Sequence, residues 1–118
     1  MTVELRFLKV NDTRGKYLIQ SVFHWTGTTD GYHVESVSIN YRDQTLVEFF
    51  HQSWTTDSIK NAWGGTNFIN SGQTKDWTIN VYRNDEITKL TVIYSCTIRD
   101  NAGNTSEFSV TQSSQAPN

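Results

Sequence analysis

Apolar side chains fall on every second position along most of this chain, and the 3.6-residue spacing of an amphipathic helix is hard to find anywhere. In "TVELRF" Val3, Leu5 and Phe7 alternate with Thr2, Glu4 and Arg6, and in "KYLIQSVFHW" Tyr17, Ile19, Phe23 and Trp25 share one parity. The rhythm continues in "VSINY" (Val37, Ile39, Tyr41), "DWTINVY" (Trp77, Ile79, Val81), "KLTVIYSCTIRD" (Leu90, Val92, Tyr94, Cys96, Ile98) and "SEFSVTQ" (Phe108, Val110), while "TLVEFF" is a short apolar run. Such alternation is what a strand shows when one face meets a core and the other meets water. The expectation is about 7–9 strands, the higher number applying if Leu8 to Val10 or Asn67 to Ile69 pair separately.

The connectors "NDTRG", "TGTTDG", "RDQ", "RNDE" and "DNAGN" carry Gly, Asn and Asp, which tolerate positive φ or bond their own backbone. The single proline is Pro117, so no residue from 2 to 112 is barred from donating to a ladder. Many strands joined by short turns predict an all-β fold, an antiparallel β-sandwich, with a small closed barrel as the alternative. The 118 residues make one domain, expected over 1–112, and a polar tail at 113–118 expected to fray. One connection is too long for a plain turn, from about His51 to Asp76. Within it "TTDSIKNAWGG" predicts a turn of helix, capped by Thr56 or Asp57 and stopped by Gly64.

Composition narrows the partners. Ten Lys and Arg against twelve Asp and Glu give a formal net charge of −2 with the signs interspersed, which disfavours nucleic acid. Aromatics reach 13%, far above what disordered chains carry, so a folded core is expected. No stretch approaches the roughly 18 apolar residues of a membrane span, and the first residues alternate where a signal peptide would be continuously apolar. The lone Cys96 excludes an internal disulfide; localisation stays open between cytoplasmic synthesis and secretion without a visible signal peptide.

For enzyme chemistry the chain offers no nucleophile elbow, phosphate loop or His-Glu helix, and its carboxylates are scattered singly; the expectation is a protein that is not an enzyme and takes no cofactor. His24, Asp30 and His33 flank one hairpin and could meet around a metal, but histidines at strand ends pack on aromatics more often, so no metal site is assigned. Cys96 shares the core parity of its strand and reads as a buried small hydrophobe.

"IYSCTIRDNAGNTSEFSV" resembles the last hairpin of immunoglobulin-like domains, through Tyr94, Cys96, Asn101, Gly103 and Val110; a second cysteine is absent, and the resemblance implies the sandwich alone. "NAWGGTNFINSGQTKDWTI" resembles the loop of the cyanobacterial high-mannose agglutinin family, through Asn61, Trp63, Gly64, Gly65, Gly72, Trp77 and Ile79. That family repeats the motif and this chain has one copy, so only local chemistry carries over. Glycines let backbone amides approach sugar hydroxyls, and an indole stacks on the apolar face of a pyranose. The same residues would arise if Trp63 simply covered the open edge of a sandwich. In size, acidic charge and strand-rich layout the chain is similar to the aegerolysin group, which implies a lipid target.

The expectation is therefore a binding module that recognises a cell-surface glycan through Trp54, Asn61, Trp63, Gly64, Gly65, Thr66 and Asn67, with Trp54 and Trp63 partly exposed and Trp77 pointing into the core. The alternatives are an aegerolysin-like membrane-binding protein or toxin component, and a structural immunoglobulin-like interaction domain. Homo-oligomerisation through free sheet edges stays open.

Overall fold

The computed structural model describes residues 1–117. Eight strands and one short helix follow in the order β1 (Thr2–Asp12), β2 (Gly15–Thr26), β3 (Tyr32–Arg42), β4 (Glu48–Trp54), α1 (Thr56–Ala62), β5 (Phe68–Ile69), β6 (Thr74–Arg83), β7 (Lys89–Arg99) and β8 (Thr105–Gln115). Strands take 64% of the chain and helix 6%, as the period-two pattern predicts. The strands form an open sandwich, and no barrel closes. One sheet runs β1-β2-β6 and the other β4-β3-β7-β8, with β5 pairing the start of β3; every pairing is antiparallel.

Alternation decides what fills the space between the sheets. Ile19, Phe23 and Trp25 of β2 meet Val37, Ile39 and Tyr41 of β3 and Leu90, Val92, Tyr94 and Cys96 of β7, all of them buried. Each fully buried Val, Ile or Phe contributes about 1.5–3 kcal/mol, so these central strands hold most of the stability. Cys96 lies on the inner face with Tyr94, and burial pushes its thiol pKa up, away from thiolate chemistry.

One polar group shares the inward parity of β2. Ser21 is fully buried, its hydroxyl 2.7 Å from that of Tyr41 and 2.8 Å from that of Tyr94. Ser21 can accept from one phenol and donate to the other, so three buried hydroxyls satisfy one another and tie β2 to β3 and β7 across the core. Burial raises the pKa of Tyr41 and pushes that of Tyr94 up to about 12.

Three boundaries differ from the sequence reading, each for a local reason. β3 starts at Tyr32, five residues before the "VSINY" run, because its register against β7 shifts between Val34 and Ser36. The bulge moves the buried parity from Tyr32 and Val34 to Val37, Ile39 and Tyr41, which breaks the alternation that marks a strand. β4 starts at Glu48, because the Asp43 carboxylate accepts from the backbone of Thr45 and Val47 and holds the preceding residues in a turn, with Leu46 at φ 64°. β8 continues to Gln115, with Ser113, Ser114 and Gln115 paired to Thr91, Leu90 and Lys89, so the first half of the tail expected to fray at 113–118 is ladder. Ala116 N donates to Thr88 O (3.0 Å), and Asn118 lies outside the described residues.

Replacing Ser21 by Ala should cost about 1–3 kcal/mol in urea unfolding, because both buried phenols lose their shared partner. The folded tyrosines ionise above the ordinary value of 10.0, so their contribution is complete below pH 10 and is lost as pH rises toward 12. Tyr94→Phe should flatten that alkaline decline; an unchanged slope would remove the hydroxyl cluster from the account.

Candidate functional site

The long connection from β4 to β6 folds back over one open side of the sandwich. α1 begins at the Thr55 cap, whose side chain accepts from Ser58 N, and packs Ile59 into the core against β3 and β4. It ends at Trp63, after which Gly64 and Gly65 take φ of 79° and 110° and Gly65 N donates to Lys60 O (2.7 Å). Positive φ at both positions suits glycine alone without strain, and that turn sets the direction in which Trp63 leaves the helix. The strand-like end of the connection is fixed close to β2. A Cβ on Gly27 would lie 1.7 Å from the Asn70 carbonyl oxygen, so only glycine allows this approach.

The four tryptophans form one contact chain. Trp25 on β2 packs edge-on against Trp63 (ring centroids 5.4 Å), Trp63 meets Trp77 on β6 (6.2 Å), and Trp77 meets Trp54 at the end of β4 (4.8 Å). Trp25 is fully buried, while Trp54, Trp63 and Trp77 are each half-buried and packed on the core. Trp77, expected to be a core residue, thus shares the intermediate position of the other two, because β6 is an edge strand whose inner face is only partly covered. The Lys75 ammonium lies 5.7 Å from the Trp63 ring.

Around these rings the expected site residues divide. Asn61 is exposed on α1, Gly64 and Gly65 are exposed with open space where a Cβ would stand, and Thr66 is exposed with its hydroxyl accepting from Phe68 N (3.1 Å). Asn67 does not belong with them. It is 2% exposed, its side-chain amide donates to Val34 O (3.0 Å), and its backbone carbonyl accepts from Val34 N (2.9 Å). Asn67 latches the connection onto β3 beside the bulge, and its burial keeps it from the surface a ligand would meet.

His24, Asp30 and His33 are not brought together. His24 Nδ1 pairs with Asp76 (2.7 Å), His33 packs on Phe68 (4.8 Å), and the Asp30 carbonyl accepts from the Asn101 amide. Among the described residues no three His, Cys, Asp or Glu side chains are placed to hold a metal. The carboxylate of Asp100 accepts from the backbone of Ala102 and Asn104, an ordinary hairpin turn with Gly103 at φ 88°.

Sequence reading missed a polar cluster on the outer face of the larger sheet. The bulge residue Glu35 accepts from Arg99 Nε (2.7 Å), and the Thr56 hydroxyl lies 2.8 Å from both its carbonyl and its carboxylate. The Thr56 hydroxyl, with Arg99 beside it, holds the Glu35 carboxyl below its usual range. These contacts clamp the start of α1 to β3; the only signal in sequence was an acidic residue interrupting an apolar alternation. On the other flank of Trp25 a cavity of about 150 Å³ is lined by Tyr32, Ile98, Phe108 and Thr28 among others.

No protein-family model matches the chain, and no curated protein matches it. Among solved structures the chain is similar to the crystal structure of a protein designated ApaA from Bordetella pertussis, with a TM-score of 0.69 over 98% of this chain and 91% of that one. Sequence identity is 12%, so the likeness carries the fold, an antiparallel β-sandwich, and nothing about the tryptophan-lined side.

Thermal or urea unfolding should separate the roles of these residues. Trp63→Ala should cost about 1–3 kcal/mol, less than a fully buried ring, and Asn67→Ala about 1–2 kcal/mol through the lost latch. Asn61→Ala should stay within about 0.5 kcal/mol of the parent. Equal stability of the Asn67 and Asn61 variants would contradict the latch.

Proposed function

We propose that the tryptophan-lined side is a glycan-binding surface, formed by Trp54, Trp63 and Trp77 with Asn61, Gly64, Gly65 and Thr66 around them. The observation that carries this reading is the placement of three half-buried indoles side by side next to an open, glycine-lined turn. A half-buried ring is held in one orientation by the core and keeps part of its surface in water, where the apolar face of a pyranose can stack with little entropy cost. Asn61 and Thr66 supply hydrogen bonds for ring hydroxyls, and the missing side chains at Gly64 and Gly65 leave open space for a sugar to approach them. The binding is non-catalytic: the rings and amides hold a neutral ligand and activate nothing.

A second reading, lipid binding, has one observation behind it. Leu46 and Val47 are 60% and 59% exposed in the turn at the opposite end of β4 from Trp54. Two adjacent exposed apolar side chains on a hairpin tip suit insertion between headgroups.

Titration with a panel of high-mannose and other cell-surface glycans should give a ligand-dependent shift in tryptophan fluorescence. Trp63→Phe keeps a ring in the edge and should weaken binding by about tenfold or more, with Trp54→Phe and Asn61→Ala also weaker. Unchanged affinity in all three variants would overturn the glycan surface. Should phosphatidylcholine vesicles instead sediment the protein, with Leu46→Ser and Val47→Ser abolishing it, the lipid reading replaces the first.

A further inference from the structure

Besides the two-residue β5, four edge strands bound the sandwich: β1 and β6 on one sheet, β4 and β8 on the other. An edge presents unpaired N–H and C=O groups that template pairing with another chain, and proteins blunt edges with lysine, proline, bulges or shortness. β1 carries Arg6 and Lys9 and loses its register between Lys9 and Asp12. β4 has seven residues, an irregular start, and α1 at its end. β6 carries Lys75 and Arg83 and borders the tryptophan chain. β8 has none of these devices. Its eleven residues contain no Pro, Gly, Lys or Arg, and its register against β7 is unbroken from Thr105 to Gln115. Midway along it Phe108 is 43% exposed.

We propose that β8 is the docking edge for a second copy of this chain, joined antiparallel to β8 of the partner about a two-fold axis near Ser109 and Val110. Charge selects this occupant. Glu107 is the one charged residue of β8, and pairing about Ser109 or Val110 sets it against Thr111 or Ser113 of the partner subunit, so like charges never face each other. Phe108 then meets Val110 or Gln112 of the partner subunit, which covers its exposed ring. The remaining facing pairs are Ser, Thr and Gln, with Val110 against its own copy when the axis lies there; the Ser and Thr hydroxyls hydrogen-bond across strands, while the Gln112 amide stays on Val3 O. A strand of eleven residues extends over about 35 Å, and the two-fold consumes the edge, so growth stops at a dimer. Because β4 lies at the other side of the same sheet, the dimer leaves both tryptophan-lined sides free. If they bind glycan as proposed above, the dimer is a bivalent binder; the pairing itself does not depend on that reading.

Sedimentation equilibrium tests the pairing directly. The native protein should give twice the mass of one chain. Ser109 and Thr111 are exposed and face away from the core, so Ser109→Glu with Thr111→Glu, which sets carboxylates against one another or against Glu107 of the partner subunit in either register, should keep the native circular dichroism and become monomeric. A native monomer at the highest soluble concentration, or a dimer that persists in the charged variant, would overturn the proposal. Where a charged pair prevents folding, amide hydrogen exchange on the native protein decides. Protection of every β8 amide supports the dimer, and protection of only the alternate set facing β7 rules it out. Loss of glycan binding in Trp63→Phe should leave the dimer mass unchanged.

Discussion

A sandwich of a three-stranded and a larger sheet has to close along the side where β6 faces β4, and four indoles in contact do it. Neither strand contributes a fully buried side chain there, so without Trp54, Trp63 and Trp77 the inner faces of both edges would open to water. Aromatic pairs contribute about 0.5–1.5 kcal/mol each beyond the area they bury, and here three pairs run in series from the core outward. The rest of the long connection serves that closure. Ile59 anchors α1, Asn67 latches onto the bulged end of β3, and Gly27 admits the connection close to β2.

That geometry changes the meaning of the two readings that a tryptophan-rich loop raises. A ring covering a core edge and a ring meeting a ligand need not be different rings. Half-burial gives the first role to one part of the indole and leaves the second to the other, while fixing the orientation that stacking requires. The corollary is that removing a whole side chain confounds stability with binding, which is why aromatic replacements carry the functional comparison.

The sandwich was legible because β2, β7 and most of β3 face core on one side and solvent on the other, so their alternation is clean. It failed where backbone features intervene. The bulge at Glu35 flips parity in mid-strand, and the Asp43 turn takes Leu46 and Val47 out of an apolar run that looks like strand. β8 was cut short because both faces of its last residues are polar, and pairing there rests on the ladder alone. At the candidate site the residue types were legible and their roles were not. Asn61 and Asn67 look alike in sequence, and only the approach of Val34 makes one a latch and leaves the other in solvent. The hydroxyl cluster of Ser21, Tyr41 and Tyr94 joins residues twenty and more positions apart, a pairing no periodicity reveals.

The central claim is that the half-buried indoles meet a glycan, and the indole N–H resonances of the ¹⁵N-labelled protein report on it most directly. The four tryptophans supply four such signals. On addition of a bound glycan, those of Trp54 and Trp63 should shift in a saturable way while that of Trp25, fully buried behind them, stays within its starting linewidth. Four unmoved signals across the whole glycan panel, or a shift confined to Trp25, would contradict the account.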